Sequence, residues 1–229
     1  MIGSVVWALM CATWRERLSR PLVIGIYVVL CASQVMMAVA GRELSTPVLA
    51  ITLIFGAGIV GRDVSSGTLA LVFTRPVQRS TYVIAKWLAA GTAASGLSMT
   101  TVVVQAVVLA TRGAGVPGAE IVDMLAESLT LAFGVSSLVV LFSVLVPGIG
   151  DVGLWLLLIS LGQFAGSRVP LRVAEEWRAL LLPSLTWSAT LGSSPVAWLP
   201  LVSYASTVAG CLCLATLAAN RKELSYASG

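Results

Sequence analysis

GRDVSSGTLALVFTRPVQRSTYVIAKWL, residues 61–88, is the stretch that decides how this chain is read. Five of its side chains, Arg62, Asp63, Arg75, Arg79 and Lys86, are charged. Each would cost about 2.5–3.5 kcal/mol at the centre of a bilayer, whereas a Leu, Val or Phe returns about 0.3–0.6 kcal/mol. The stretch therefore belongs in water or at the membrane interface. Ser66 is placed to cap a helix, and Leu69, Val72 and Phe73 follow at i, i+3, i+4 spacing to give it one apolar face. Asp63 stands where the positive helix end favours an acid. The helix should stop at Arg75, because the residue before Pro76 is pushed out of α geometry. Such an element either docks on another protein or rests its greasy face on lipid headgroups. Periodicity alone slightly favours the second reading.

Outward from this stretch the sequence is hydrocarbon-like. Of 229 residues, 58% are hydrophobic and only 10% charged, and the mean hydropathy of +0.96 is far from that of a soluble domain. A hydrocarbon core of roughly 30 Å needs about 20 helical residues at about 1.5 Å each, so the chain holds about six crossings and no separate catalytic domain. The net charge of +4 comes from Arg and Lys flanking apolar runs, not from one basic patch, so nucleic acid is not an expected partner. There is no histidine, which removes imidazole bases, Ser-His-Asp triads and His metal sites together. The four cysteines, Cys11, Cys31, Cys211 and Cys213, lie in or beside apolar segments and give neither a disulfide framework nor a metal site.

The expected fold is an all-α membrane protein, a single transmembrane domain over 1–229. An interfacial helix at 1–20 places Ile2, Val5, Val6, Leu9 and Thr13 at helical spacing before Arg15, Glu16, Arg17 and Arg20. Six transmembrane helices follow, at 22–40, 44–61, 82–111, 121–146, 152–165 and 199–219. The second is near the lower limit of length and uses Arg62 to snorkel. The Gly/Pro-rich stretches 112–118 and 147–151 make reversals. Between spans five and six, 167–197 is broken by Pro170, Pro183 and Pro195, and Val173, Trp177, Leu180 and Leu181 share one face, as in a helix lying on the membrane surface.

The positive-inside rule sets the orientation. With both termini in the cytoplasm, the inside holds Arg15, Arg17, Arg20, Arg62, Arg75, Arg79, Lys86, Arg221 and Lys222. The outside holds Arg42, Arg112, Arg168, Arg172 and Arg178, three of them in the longest external segment, where the rule counts least. Residues 61–81 are then a cytoplasmic connection.

The order Asp63, Ser66-Gly67-Thr68-Leu69, an apolar run, Arg75-Pro76-Val77, Arg79 and then Lys86 at the next span resembles the type-2 ATP-binding-cassette (ABC) permease family. That pattern usually runs Glu, Gly-Thr-Leu, an apolar run, Arg-Pro-Val-Ser-Arg and a basic residue opening span three. Asp63 stands here in place of Glu, keeping the charge on a shorter reach, and Gln78 in place of Ser. The motif covers about 61–87, and the six-span layout extends the likeness over the chain. The resemblance implies a membrane subunit that pairs with a second permease copy or a paralogue and sits on two ABC ATP-binding subunits in the bacterial inner membrane. It also makes 66–76 a cytoplasmic coupling helix between spans two and three, with Asp63, Ser66, Gly67, Thr68, Leu69, Val72, Phe73, Arg75, Pro76 and Arg79 as the ATPase-coupling residues. The chain has no G-x-x-x-x-G-K-[ST] loop to hold a phosphate, so ATP and Mg belong to the partner and no cofactor to this chain.

Gln34, Gln105 and Gln163 fall in spans one, three and five, where an amide normally finds a partner across a helix interface. Structural fastening is the simpler reading, and a translocation path lined by the three is the alternative. In span three, Gly91, Ser95 and Met99 form one stripe of small or slender residues and Thr92, Gly96 and Thr100 another, each suited to close helix packing within the chain or between subunits. The expected function is export of a hydrophobic or amphipathic molecule driven by the partner's ATP. The alternative is a non-transporting mechanotransmission or assembly subunit acting on an extracytoplasmic protein.

Overall fold

The computed structural model describes residues 2–41, 44–65, 77–146, 150–166, 183 and 198–226, and among these described residues eight helices are formed. They are α1 (Ile2–Leu18), α2 (Pro21–Gly41), α3 (Val48–Gly56), α4 (Gly61–Ser65), α5 (Arg79–Thr111), α6 (Gly118–Leu145), α7 (Gly150–Gly166) and α8 (Trp198–Tyr226). Among the described residues there is no strand. Pro21 opens α2 at the position where its missing N–H costs nothing, and Pro47 and Pro117 immediately precede α3 and α6. Past α5, Gly113 takes φ 76°, a left-handed conformation that suits glycine.

Among the described residues, four helices are long and apolar enough to cross a membrane: Pro21–Gly41, Arg79–Thr111, Gly118–Leu145 and, within α8, Trp198–Arg221. These correspond to the expected spans one, three, four and six, with ends shifted by a few residues. The expected span five is represented by α7, whose described apolar part, Gly150–Ser160, falls short of that length. The expected span at 44–61 differs most. Its helix covers only Val48–Gly56, and the chain turns at residues 57–60 before α4 begins. The sequence expectation of an uninterrupted helix fails here because three glycines, Gly56, Gly58 and Gly61, fall within six positions, and Gly58 takes φ 62°.

α5 and α6 form the centre. The Trp87 and Phe133 rings meet edge-on at 5.4 Å, and the Trp87 indole N–H donates to the Phe133 carbonyl at 2.9 Å. Gly91 allows this approach, since a Cβ there would come within 2.5 Å of the Phe133 ring. The stripe led by Gly91 and the buried Ser95 is thus spent on contact inside the chain. On the adjacent stripe Gly96 is exposed, and Thr100 shares a hydrogen bond with the Tyr27 hydroxyl of α2 at 3.0 Å.

α1 lies against the start of α5, where the Thr13 hydroxyl accepts from Lys86 at 3.3 Å and the Trp14 indole donates to the Ala89 carbonyl at 2.9 Å. The four cysteines are free thiols, with Cys211 buried and Cys213 exposed on opposite sides of α8. The expected surface helix around Trp177 and the coupling helix 66–76 both lie outside the described residues.

Polar contacts fix the direction of each pass. At one end of α5, Asp63 meets Tyr82 and Lys86, and Arg79 donates to the carbonyl of Asn220 at 3.0 Å. Towards the other end, Gln105 meets Ser45. Between Lys86 and Gln105 the helix rises roughly 28 Å at about 1.5 Å per residue. Residues 45–63 therefore run antiparallel to α5 over nearly the thickness of a hydrocarbon core, although their helix is broken.

Candidate functional site

The charged groups Asp63 and Lys86 meet where α1, α4 and the start of α5 come together. Asp63 lies in the first turn of α4. Lys86 Nζ reaches its Oδ2 at 2.9 Å, with both side chains largely removed from solvent, and the Tyr82 hydroxyl donates to the same oxygen. Tyr82 and Lys86 are four residues apart on one face of α5, so one acid on α4 engages both. Lys86 also donates to the Thr13 hydroxyl on α1 at 3.3 Å, and its ammonium lies 5.5 Å from the centre of the Tyr82 ring. The Thr13 hydroxyl is oriented by its own bond to the Leu9 carbonyl at 2.8 Å. One carboxylate thus ties α4, the element preceding 66–76, to α5, and its partner Lys86 ties α5 to α1.

Three to six residues before Asp63, the break between α3 and α4 leaves backbone groups that no helix pairs, and three different helices satisfy them. Arg17 of α1 donates to the Ala57 carbonyl at 2.7 Å. The Gly58 N–H donates to Asp151 of α7 at 2.6 Å, and the Val60 and Gly61 N–H groups donate to the Ser143 hydroxyl of α6 at 3.0 and 2.9 Å. Arg17, Ser143 and Asp151 are all buried. Burial, reinforced by the neighbouring Arg62 charge, pulls the Arg17 guanidinium down to about 10, so it still carries its proton at neutral pH. Arg17 and Gly58, with Thr13, Glu16, Ile59, Arg62, Asp63 and Lys86, line a narrow cleft between this turn and the Asp63 cluster.

Against this geometry, a family model described as "ABC-2 family transporter protein" matches residues 44–177, which takes in the antiparallel segment, its break and the Asp63 cluster. The chain belongs to the ABC-2 transporter family. It is a multi-pass membrane protein of the ABC permease type, and that family implies partnership with an ABC ATP-binding subunit. No curated protein and no solved structure matches the chain.

Of the ABC-2 coupling residues expected from sequence, Asp63 and Arg79 are described, and both fasten the start of α5, to α4 and to the end of α8 respectively. Ser66, Gly67, Thr68, Leu69, Val72, Phe73, Arg75 and Pro76 lie outside the described residues. Gln34 and Gln105 sit well away from Asp63 and Arg79, at the other end of α5. Gln105 accepts from the Ser45 N–H at 3.0 Å and donates to the Ser45 carbonyl at 2.8 Å, while the Ser45 hydroxyl donates to Gln34 at 2.6 Å. The Gln163 side chain is outside the described set.

Sequence reasoning missed Arg17, Ser143 and Asp151, and took Lys86 and Tyr82 as part of a span's edge. A signal existed for Lys86, since a lysine inside an apolar helix demands a partner. Asp151 read as part of a reversal, and nothing local pointed to Gly58, 93 positions away.

Proposed function

We propose that this chain is the membrane subunit of an ABC exporter, with the 66–76 segment as the helix that receives force from a separate ATP-binding subunit. The observation that carries the reading is the Asp63 clasp. The segment follows directly on α4, which an ion pair holds to Lys86 of α5, and Lys86 in turn donates to Thr13 of α1, so a push on α4 is delivered to α5 and through Lys86 to α1.

The six-crossing layout is supported by the roughly 28 Å run of residues 45–63 along α5, which is close to the hydrocarbon thickness of about 30 Å. Orientation is supported by charge. Among the described residues Arg15, Arg17, Arg20, Arg62, Arg79, Lys86 and Arg221 belong to the Asp63 end and Arg112 to the other, a bias that supports a cytoplasmic Asp63 end with both termini on that side. The assembly we propose has two ATP-binding subunits carrying ATP and Mg, and a second permease copy or paralogue, in a bacterial inner membrane. The cargo is hydrophobic or amphipathic. Gln34 and Gln105 act as fasteners, because both amide groups of Gln105 are used on Ser45.

The test is purification in mild detergent from cells co-expressing the ATP-binding subunit. Leu69→Asp and Phe73→Asp each place a charge on the docking face and should lose the ATPase while the permease still inserts. Undiminished ATPase recovery with both variants would reject docking through this segment. ATP turnover without movement of solute in vesicles would favour the mechanotransmission alternative over export.

A further inference from the structure

The break between α3 and α4 is a β-turn with a defined geometry. Residues 56–59 close through a bond from the Ile59 N–H to the Gly56 carbonyl at 2.9 Å. Ala57 has φ −52° and ψ 118°, and Gly58 has φ 62°. These match a type II turn, with about −60° and +120° at its second residue and about +80° at the φ of its third. A type I turn over the same four residues has ψ near −30° at the second and φ near −90° at the third, so ψ57 and φ58 would each change by about 150°. That pair of changes is rotation of the single peptide plane between the two residues, with the surrounding chain path largely kept.

The Ala57 carbonyl and the Gly58 N–H are the two ends of that one peptide plane. Arg17 holds the carbonyl at 2.7 Å, and Asp151 holds the N–H at 2.6 Å. A cation from α1 and an anion from α7 therefore grip the same peptide from opposite sides, each through a charge-assisted hydrogen bond. Rotation to type I would turn the carbonyl from Arg17 and the N–H from Asp151 in one movement. The bonds from Val60 and Gly61 to Ser143 lie beyond the rotating plane and would remain.

We propose that the Ala57–Gly58 peptide is a two-position catch, set to type II by Arg17 and Asp151, whose rotation unhooks the segment leading to 66–76 from α1 and α7 together. Its role in transport rests on the proposed coupling function, where the catch lies between the force-receiving segment and the bilayer-depth part of the chain. Interfaces with two discrete arrangements transmit small displacements better than compliant ones. The catch is a positioning device that touches no cargo. Glycine at position 58 fits both states, because type II needs φ above zero and type I does not.

The experiment uses the full chain in detergent and needs no ATPase, so its failure leaves the docking proposal standing, and loss of docking leaves the catch standing. Gly58→Ala opposes type II. It should lower the Tm clearly in the natural background and by less than half as much in an Arg17→Met/Asp151→Ala background, where type I strands no buried charge. Equal losses in both backgrounds overturn the catch. Should the double variant fail to fold, residue-resolved hydrogen exchange on Arg17→Met decides. The Gly58 amide should exchange at least about tenfold faster than in the natural chain, the scale of one lost charge-assisted bond, while the Val60 and Gly61 amides keep their protection. An unchanged Gly58 amide, or all three amides accelerating together, overturns it.

Discussion

Replacing Lys86 by Met removes the cation that Asp63 faces while keeping most of the side chain's length and packing. Asp63 would keep the Tyr82 hydroxyl, but its second strong partner, now 2.9 Å away, would be gone. Breaking a buried pair by deleting one member costs about 3–5 kcal/mol, because the remaining charge is stranded. Asp63 keeps 17% of its side-chain exposure and sits near the proposed interface, so the lower end of that range applies. For a chain of this size, about 3 kcal/mol corresponds to a fall in Tm of roughly 6–12 °C. Asp63→Asn alone should cost a similar amount by leaving Lys86 unpaired. The double variant Lys86→Met/Asp63→Asn strands no charge and should recover at least half of the single-variant loss. The assay is a thermal melt of the four proteins in one detergent. Single variants melting within about 1 °C of the natural chain, or a double variant that loses the sum of the two, would refute the pair as the tie between α4 and α5.

Gly91→Val should be far more damaging than Gly96→Val in the same melt. The first drives atoms into the Phe133 ring, at a cost of about 1–3 kcal/mol for overpacking, and the second meets nothing within 4 Å. Gln105→Leu leaves both the N–H and the carbonyl of Ser45 without their partner and should destabilise by about 1–3 kcal/mol for each group that stays dry. A Gln105→Leu variant of natural stability with altered transport would instead point to a place on the cargo's route.

The long crossings were legible because their signal is local. Twenty or so uncharged residues bounded by Arg, Lys, Gly or Pro mark a span without reference to anything distant, and 82–111 and 121–146 emerge as α5 and α6 within a few residues. The break at 57–60 was hidden by the same logic, since Gly-Ala-Gly-Ile-Val-Gly is as apolar as a helix and hydropathy does not distinguish a turn whose backbone is satisfied from outside. That satisfaction comes from Arg17, Ser143 and Asp151, 40 to 93 positions away in sequence. The same limit applies to the clasp. Asp63 and Lys86 were both visible as costly charges, but their meeting depends on α4 folding back beside α5. Gln105 was recognised as needing a partner, and that the partner is the backbone of Ser45, in the short linker before α3, follows only from the packing.

The most direct test of the account is the side of the membrane on which the coupling segment lies. In a chain with Cys11, Cys31, Cys211 and Cys213 replaced by serine, a single Thr74→Cys thiol should be blocked by a membrane-impermeant maleimide only in inverted vesicles, where the cytoplasmic face is outward. Blocking in intact cells, with protection in inverted vesicles, would place the Asp63 end of the bundle outside the cell and contradict the coupling role assigned to it.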